Sequence, residues 1–60
     1  MGAKILLVED SRVIRAMVGA TLKPYDCSII EANDGAEGLE LAERHKPDLI
    51  ILDYSMPEMD

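Results

Sequence analysis

The sequence predicts an α/β fold, a small parallel sheet built by two β-α-β crossovers, and three observations carry that prediction. Two unbroken aliphatic runs, Ile5-Leu6-Leu7-Val8 and Leu49-Ile50-Ile51-Leu52, are too short for helices. They also lack the apolar-polar alternation of a strand with one wet face. Between them lie two amphipathic stretches of helical period, each with a cap signal before it and a stop after it. The connections are short throughout, so the order is β-α-β-α-β. Two right-handed crossovers in the order 2-1-3 make the first and third strands neighbours and place the helices on opposite faces.

The first strand is expected from about Ala3 to Glu9, bounded by the acids Glu9 and Asp10. The first helix follows, with Val13, Met17 and Thr21 on one line and Ile14, Val18 and Leu22 on the next. Asp10 or Ser11 caps it, Pro24 stops it near Lys23, and Met17 reads as core. Cys27 to Ala32 is shorter of apolar residues and more polar, as an edge strand is. Asn33-Asp34-Gly35 is a turn signal, and Asp34 with Glu37 has capping-box spacing for a second helix reaching about His45. Ala36, Leu39, Leu41 and Ala42 are its expected buried face. Arg44 and Lys46 suit the negative end of its dipole, and Pro47 closes it. The last strand then delivers Asp53 into a Pro-containing loop.

Composition excludes several classes of function. Sixty residues make one small domain, able to hide only about 60% of its unfolded surface. The single cysteine, Cys27, forms no intrachain disulfide, and with His45 it makes no recognisable zinc set; a small buried thiol and a solvated or dipole-facing histidine are the readings that remain. One cysteine and no charged-then-apolar leader lead us to expect a reducing, cytoplasmic setting. No stretch approaches the roughly 20 apolar residues of a membrane span. A net charge of −6 argues against direct contact with nucleic acid.

The acids matter for where they converge. Parallel sheets place their chemistry beyond the carboxyl ends of the strands, which is where Glu9, Asp10 and Asp53 fall. Crowded carboxylates need a cation between them, and an all-oxygen set suits Mg²⁺. The ion would also neutralise incoming phosphate oxygens, so that Asp53 can attack phosphorus as a nucleophile. On this reading Asp10 is a direct metal ligand and Glu9 a ligand through water or a neighbour of the ligands.

Ile5-Leu6-Leu7-Val8-Glu9-Asp10-Ser11, Asn33-Asp34-Gly35-Ala36-Glu37-Gly38-Leu39 and Pro47-Asp48-Leu49-Ile50-Ile51-Leu52-Asp53 with Met56-Pro57-Glu58-Met59-Asp60 together resemble the receiver domain of bacterial two-component response regulators. The resemblance covers essentially the whole chain. It implies a flavodoxin-like, doubly wound parallel sheet that takes a phosphoryl group from a histidine kinase or a phosphotransfer protein in a Mg²⁺-dependent step. The family's acidic pair falls on Glu9 and Asp10, its phosphoacceptor on Asp53 and its main-chain carbonyl ligand on Ser55. A receiver is about twice as long, and its second half supplies two more strands, a hydroxyl residue and a lysine that meet the phosphoryl group. Residues 1–60 are therefore expected to be the amino-terminal half, impaired in phosphotransfer. Gly38 departs from the alanine more usual at its place and is expected to weaken the second helix slightly.

A half-domain also leaves the aliphatic strand Leu49–Leu52 without a neighbour, a template for pairing with another chain. The alternative expectation is hence a non-catalytic module that forms a homodimer, by joining third strands into a 2-1-3-3′-1′-2′ sheet or by exchanging an element. A different carboxylate-metal enzyme, a phosphatase or acidic-cluster nuclease, would commonly carry a second acid two residues after the first; Ser55 occupies that place.

Overall fold

The computed structural model describes residues 2–52, so Asp53 and Ser55 lie outside the described residues. The order is β1 (Ala3–Val8), α1 (Arg12–Leu22), β2 (Cys27–Ala32), α2 (Gly35–His45) and β3 (Leu49–Leu52). The strands form one sheet in the order β2-β1-β3, parallel throughout. This is the expected 2-1-3 arrangement, and part of a flavodoxin-like α/β fold. Ala3 stands opposite Cys27 and Val8 opposite Ala32 on one side; Ile5 stands opposite Leu49 and Val8 opposite Leu52 on the other. The three strands thus finish level.

The central strand carries the core because, among the described strands, it alone has a neighbour on each side. Ile5, Leu6, Leu7 and Val8 are all buried. Side chains alternate across a strand, so Leu6 and Val8 share one face, where they cluster with Ala32 and with the half-buried Ile30, Leu41 and Ala42. That face belongs to α2. Ile5 and Leu7 turn to the other face.

Helix packing differs from expectation in two places. On α2 the inward residues are Gly38, Leu41 and Ala42, while Leu39 is 65% exposed and Ala36 is also exposed. A Cβ on Gly38 would meet Val8 Cγ2 at 2.8 Å, so the helix rests on the sheet at its glycine and turns Leu39 away. On α1 the line Ile14, Val18, Leu22 is half-buried, whereas Val13 and Met17 are more than 60% exposed. Met17 is not core. The helix packs against β2, and a three-stranded sheet is too narrow to cover both of its apolar lines.

Strand β3 likewise has only Ile51 half-buried, with Leu49, Ile50 and Leu52 exposed. A run built for cover on both faces stands here at the edge of the sheet. Its start is latched to β1: the Lys4 amide donates to Asp48 Oδ2 and the Asp48 amide to the Lys4 carbonyl, both at 2.7 Å. Lys4 Nζ also donates to the His45 carbonyl at 3.0 Å, satisfying the end of α2. No helix among the described residues is long and apolar enough to cross a membrane.

Candidate functional site

The carboxyl end of β1 runs directly into the acids singled out above. Glu9 extends the ladder by one more bond, its amide donating to the Ala32 carbonyl at 3.0 Å, and the residue is 2% exposed. A carboxylate so deeply placed needs partners. It has one: Oε2 accepts from the Ser11 amide at 2.9 Å, while Oε1 is buried without a hydrogen-bond partner among the described residues.

The following turn separates the two jobs that Asp10 and Ser11 could have shared. Ser11 is the cap of α1, its Oγ accepting from the Ile14 amide at 3.2 Å. Asp10 is exposed, and no side-chain hydrogen bond of its own is found among the described residues. One acid is thus buried with a free oxygen, and the next stands at the surface, uncommitted. Asp53 follows Leu52, the partner of Val8, and with Ser55 lies outside the described residues. Among the described residues no group of three His, Cys, Asp or Glu side chains is placed to hold a metal ion. Glu9 and Asp10 alone therefore make an incomplete donor set.

A residue that sequence reasoning passed over joins this end of the sheet together. Arg15 is mostly buried, its side chain 14% exposed. Its Nη1 donates to the Glu9 carbonyl at 2.7 Å and to Asn33 Oδ1 at 2.6 Å, while Nε reaches Glu31 Oε1 at 3.2 Å. One guanidinium therefore ties the ends of β1 and β2 and the turn before α2 to the first helix. A signal for it exists in the sequence. Arg15 stands three and seven residues before Val18 and Leu22, so it shares their inward stripe, and a cation there must find acceptors. The lysines lie elsewhere: Lys4 is at the amino end of β1, and Lys23 and Lys46 are exposed at the ends of the helices.

The model of the response regulator receiver domain family matches residues 5–60. The chain is similar to the transcriptional regulatory protein PdtaR of Mycobacterium tuberculosis, 45% identical over 58 residues, which are 95% of this chain and 28% of that protein. It is similar to the chemotaxis protein CheY of Bacillus subtilis, 38% identical over 61 residues, covering 100% of this chain and 51% of CheY. The sensor histidine kinase CheAY of Helicobacter pylori is 40% identical over 58 residues, 93% of this chain and 7% of the kinase. The chain spans about half the length of its chemotaxis relative and less of the other two.

Proposed function

The chain belongs to the receiver domain family of two-component response regulators, and on that premise we propose that it accepts a phosphoryl group on Asp53 from a histidine kinase or phosphotransfer protein. Glu9, Asp10, Asp53 and the main-chain carbonyl of Ser55 would hold Mg²⁺, which receivers as a family bind. The observation that carries this reading is Glu9 Oε1, buried without a hydrogen-bond partner among the described residues, at the end of the strand beside the one that leads to Asp53. Buried carboxylate oxygens are normally satisfied, and an oxygen left open within an all-oxygen set fits a hard cation.

The bound ion would supply positive charge against which carboxylates and phosphoryl oxygens can approach one another. A carboxylate oxygen of Asp53 attacks the phosphorus of the donor's phosphohistidine. As the O–P bond forms, the P–N bond breaks, and its electron pair leaves on the imidazole nitrogen. Glu9, held by the Ser11 amide and by its own bond to β2, presents its open oxygen without having to reorganise. Residues 1–60 are, in this reading, the amino-terminal half of a receiver. With no counterpart by motif of the family's phosphoryl-contacting hydroxyl and lysine, they transfer phosphoryl poorly by themselves.

Intact-mass measurement after incubation with acetyl phosphate and MgCl₂ tests the reading. One phosphoryl mass should be gained, and it should vanish on Asp53→Asn or on removal of Mg²⁺ by chelation. A gain that survives Asp53→Asn would place the chemistry on another residue.

One observation favours a second reading. Leu49, Ile50 and Leu52 are each about half or more exposed on a strand that has no outer neighbour among the described residues, which suits a homodimer formed through the third strand.

A further inference from the structure

We propose that Arg15 is a positioning residue for cation binding, fixing the Glu9–Asp10 turn from outside the set of oxygen ligands. The inference rests on the metal-site reading above and adds to it a residue that touches no expected ligand oxygen. The Glu9 peptide is held at three points: its amide on Ala32, its side chain on the Ser11 amide, and its carbonyl on Arg15 Nη1. The first two come from the sheet and from the turn itself. Only the third reaches Glu9 from within α1, and it holds the peptide group that leads into Asp10.

The same guanidinium is anchored on Asn33 and Glu31, so it cannot drift with the turn. Its planar fork meets acceptors from separate elements, which the point charge of a lysine does not reproduce. Partners of this kind, outside the ligands themselves, typically change metal affinity by about 10–100-fold when removed.

Charge and positioning make opposite forecasts here, which gives the test its force. Arg15 puts a positive charge on the Glu9 carbonyl, next to the Glu9–Asp10 peptide of the expected site. If it acted by charge alone, removing it would tighten the binding of a cation. If it acts by holding the turn, removing it loosens that binding.

Mg²⁺ titrations of the whole chain, followed by backbone amide NMR shifts, compare wild type, Arg15→Met, Arg15→Lys, Asn33→Ala and Asp10→Asn, with circular dichroism reporting the fold. Weakening of about tenfold or more in Arg15→Met, and a loss in Arg15→Lys although its charge is kept, support the proposal. Binding by folded Arg15→Met that equals or exceeds wild type overturns it. Should Arg15→Met fail to fold, Arg15→Lys and Asn33→Ala decide, and undiminished affinity in both overturns it. Wild type that binds no Mg²⁺, with Asp10→Asn indistinguishable from it, overturns the metal site itself and this proposal with it.

Discussion

At Gly38 the missing side chain is what lets α2 lie on the sheet. Two effects compete when a methyl is added there. Alanine favours a helix interior over glycine by about 1 kcal/mol. Against that, its Cβ would sit 2.8 Å from Cγ2 of Val8, a buried and β-branched neighbour with little freedom to move, and overpacking of this kind costs roughly 1–3 kcal/mol. Gly38→Ala should therefore lower stability by about 1 kcal/mol, and in a Val8→Ala background the same change should raise stability by about as much. Denaturant midpoints of the four variants check this, and a stabilising Gly38→Ala with Val8 intact would mean that the helix stands farther off. From the sequence this glycine looks like a weak point in a helix, because the nearness of Val8, thirty positions earlier, cannot be read from local pattern. Arg15 escaped notice for a similar reason. Its stripe is legible, but its acceptors come from three other stretches of chain.

The elements themselves were legible to within about a residue, because their ends are written in side chains that act locally. Asp34 Oδ1 accepts from the Glu37 amide at 2.8 Å, as the spacing foretells. The return bond of Glu37 reaches the amide of Asn33 at 2.7 Å, one residue before the cap. Asp34→Ala should cost about 1 kcal/mol, the usual worth of such a cap, and Glu37→Ala less, since its single bond is exposed. Thermal unfolding followed at 222 nm, a standard helix wavelength, ranks the two; equal losses would mean that Glu37 contributes as much as the cap. What the sequence left ambiguous was the face of each helix. Two adjacent apolar lines on α1 look equally suited to burial, and only the width of the sheet decides that Ile14, Val18 and Leu22 turn inward while Val13 and Met17 stay out. On α2 the glycine decides in place of hydrophobicity.

Across the whole molecule the two edges of the sheet are unlike. Exposed Ser28 and Glu31 lie on β2, and Glu31 pairs with Arg15, so that edge carries polar side chains that discourage another strand. Strand β3 carries only aliphatic residues. The proposed dimer would have its seam on β3, and Leu52→Lys would set a charge on it. Sedimentation equilibrium at micromolar concentration should give a dimer mass for the wild type and a monomer mass for Leu52→Lys. A stable wild-type monomer sinks the dimer while leaving the receiver reading intact. At this scale the sequence leads us to expect convergence of Glu9, Asp10 and Asp53, and the described strands bear on it through their register, β1 and β3 finishing level.

The latch of Lys4 on Asp48 and His45 fastens the central strand, the last strand and the end of α2 at the amino edge of the sheet, away from the acids. That arrangement separates two kinds of residue. Residues at the latch answer to folding, whereas Asp10 is exposed and makes no side-chain hydrogen bond among the described residues, which leaves it available for the proposed cation. Asp10 can therefore be changed with the scaffold intact, whereas Glu9, buried and bonded to Ser11 and β2, cannot be changed without cost to the fold.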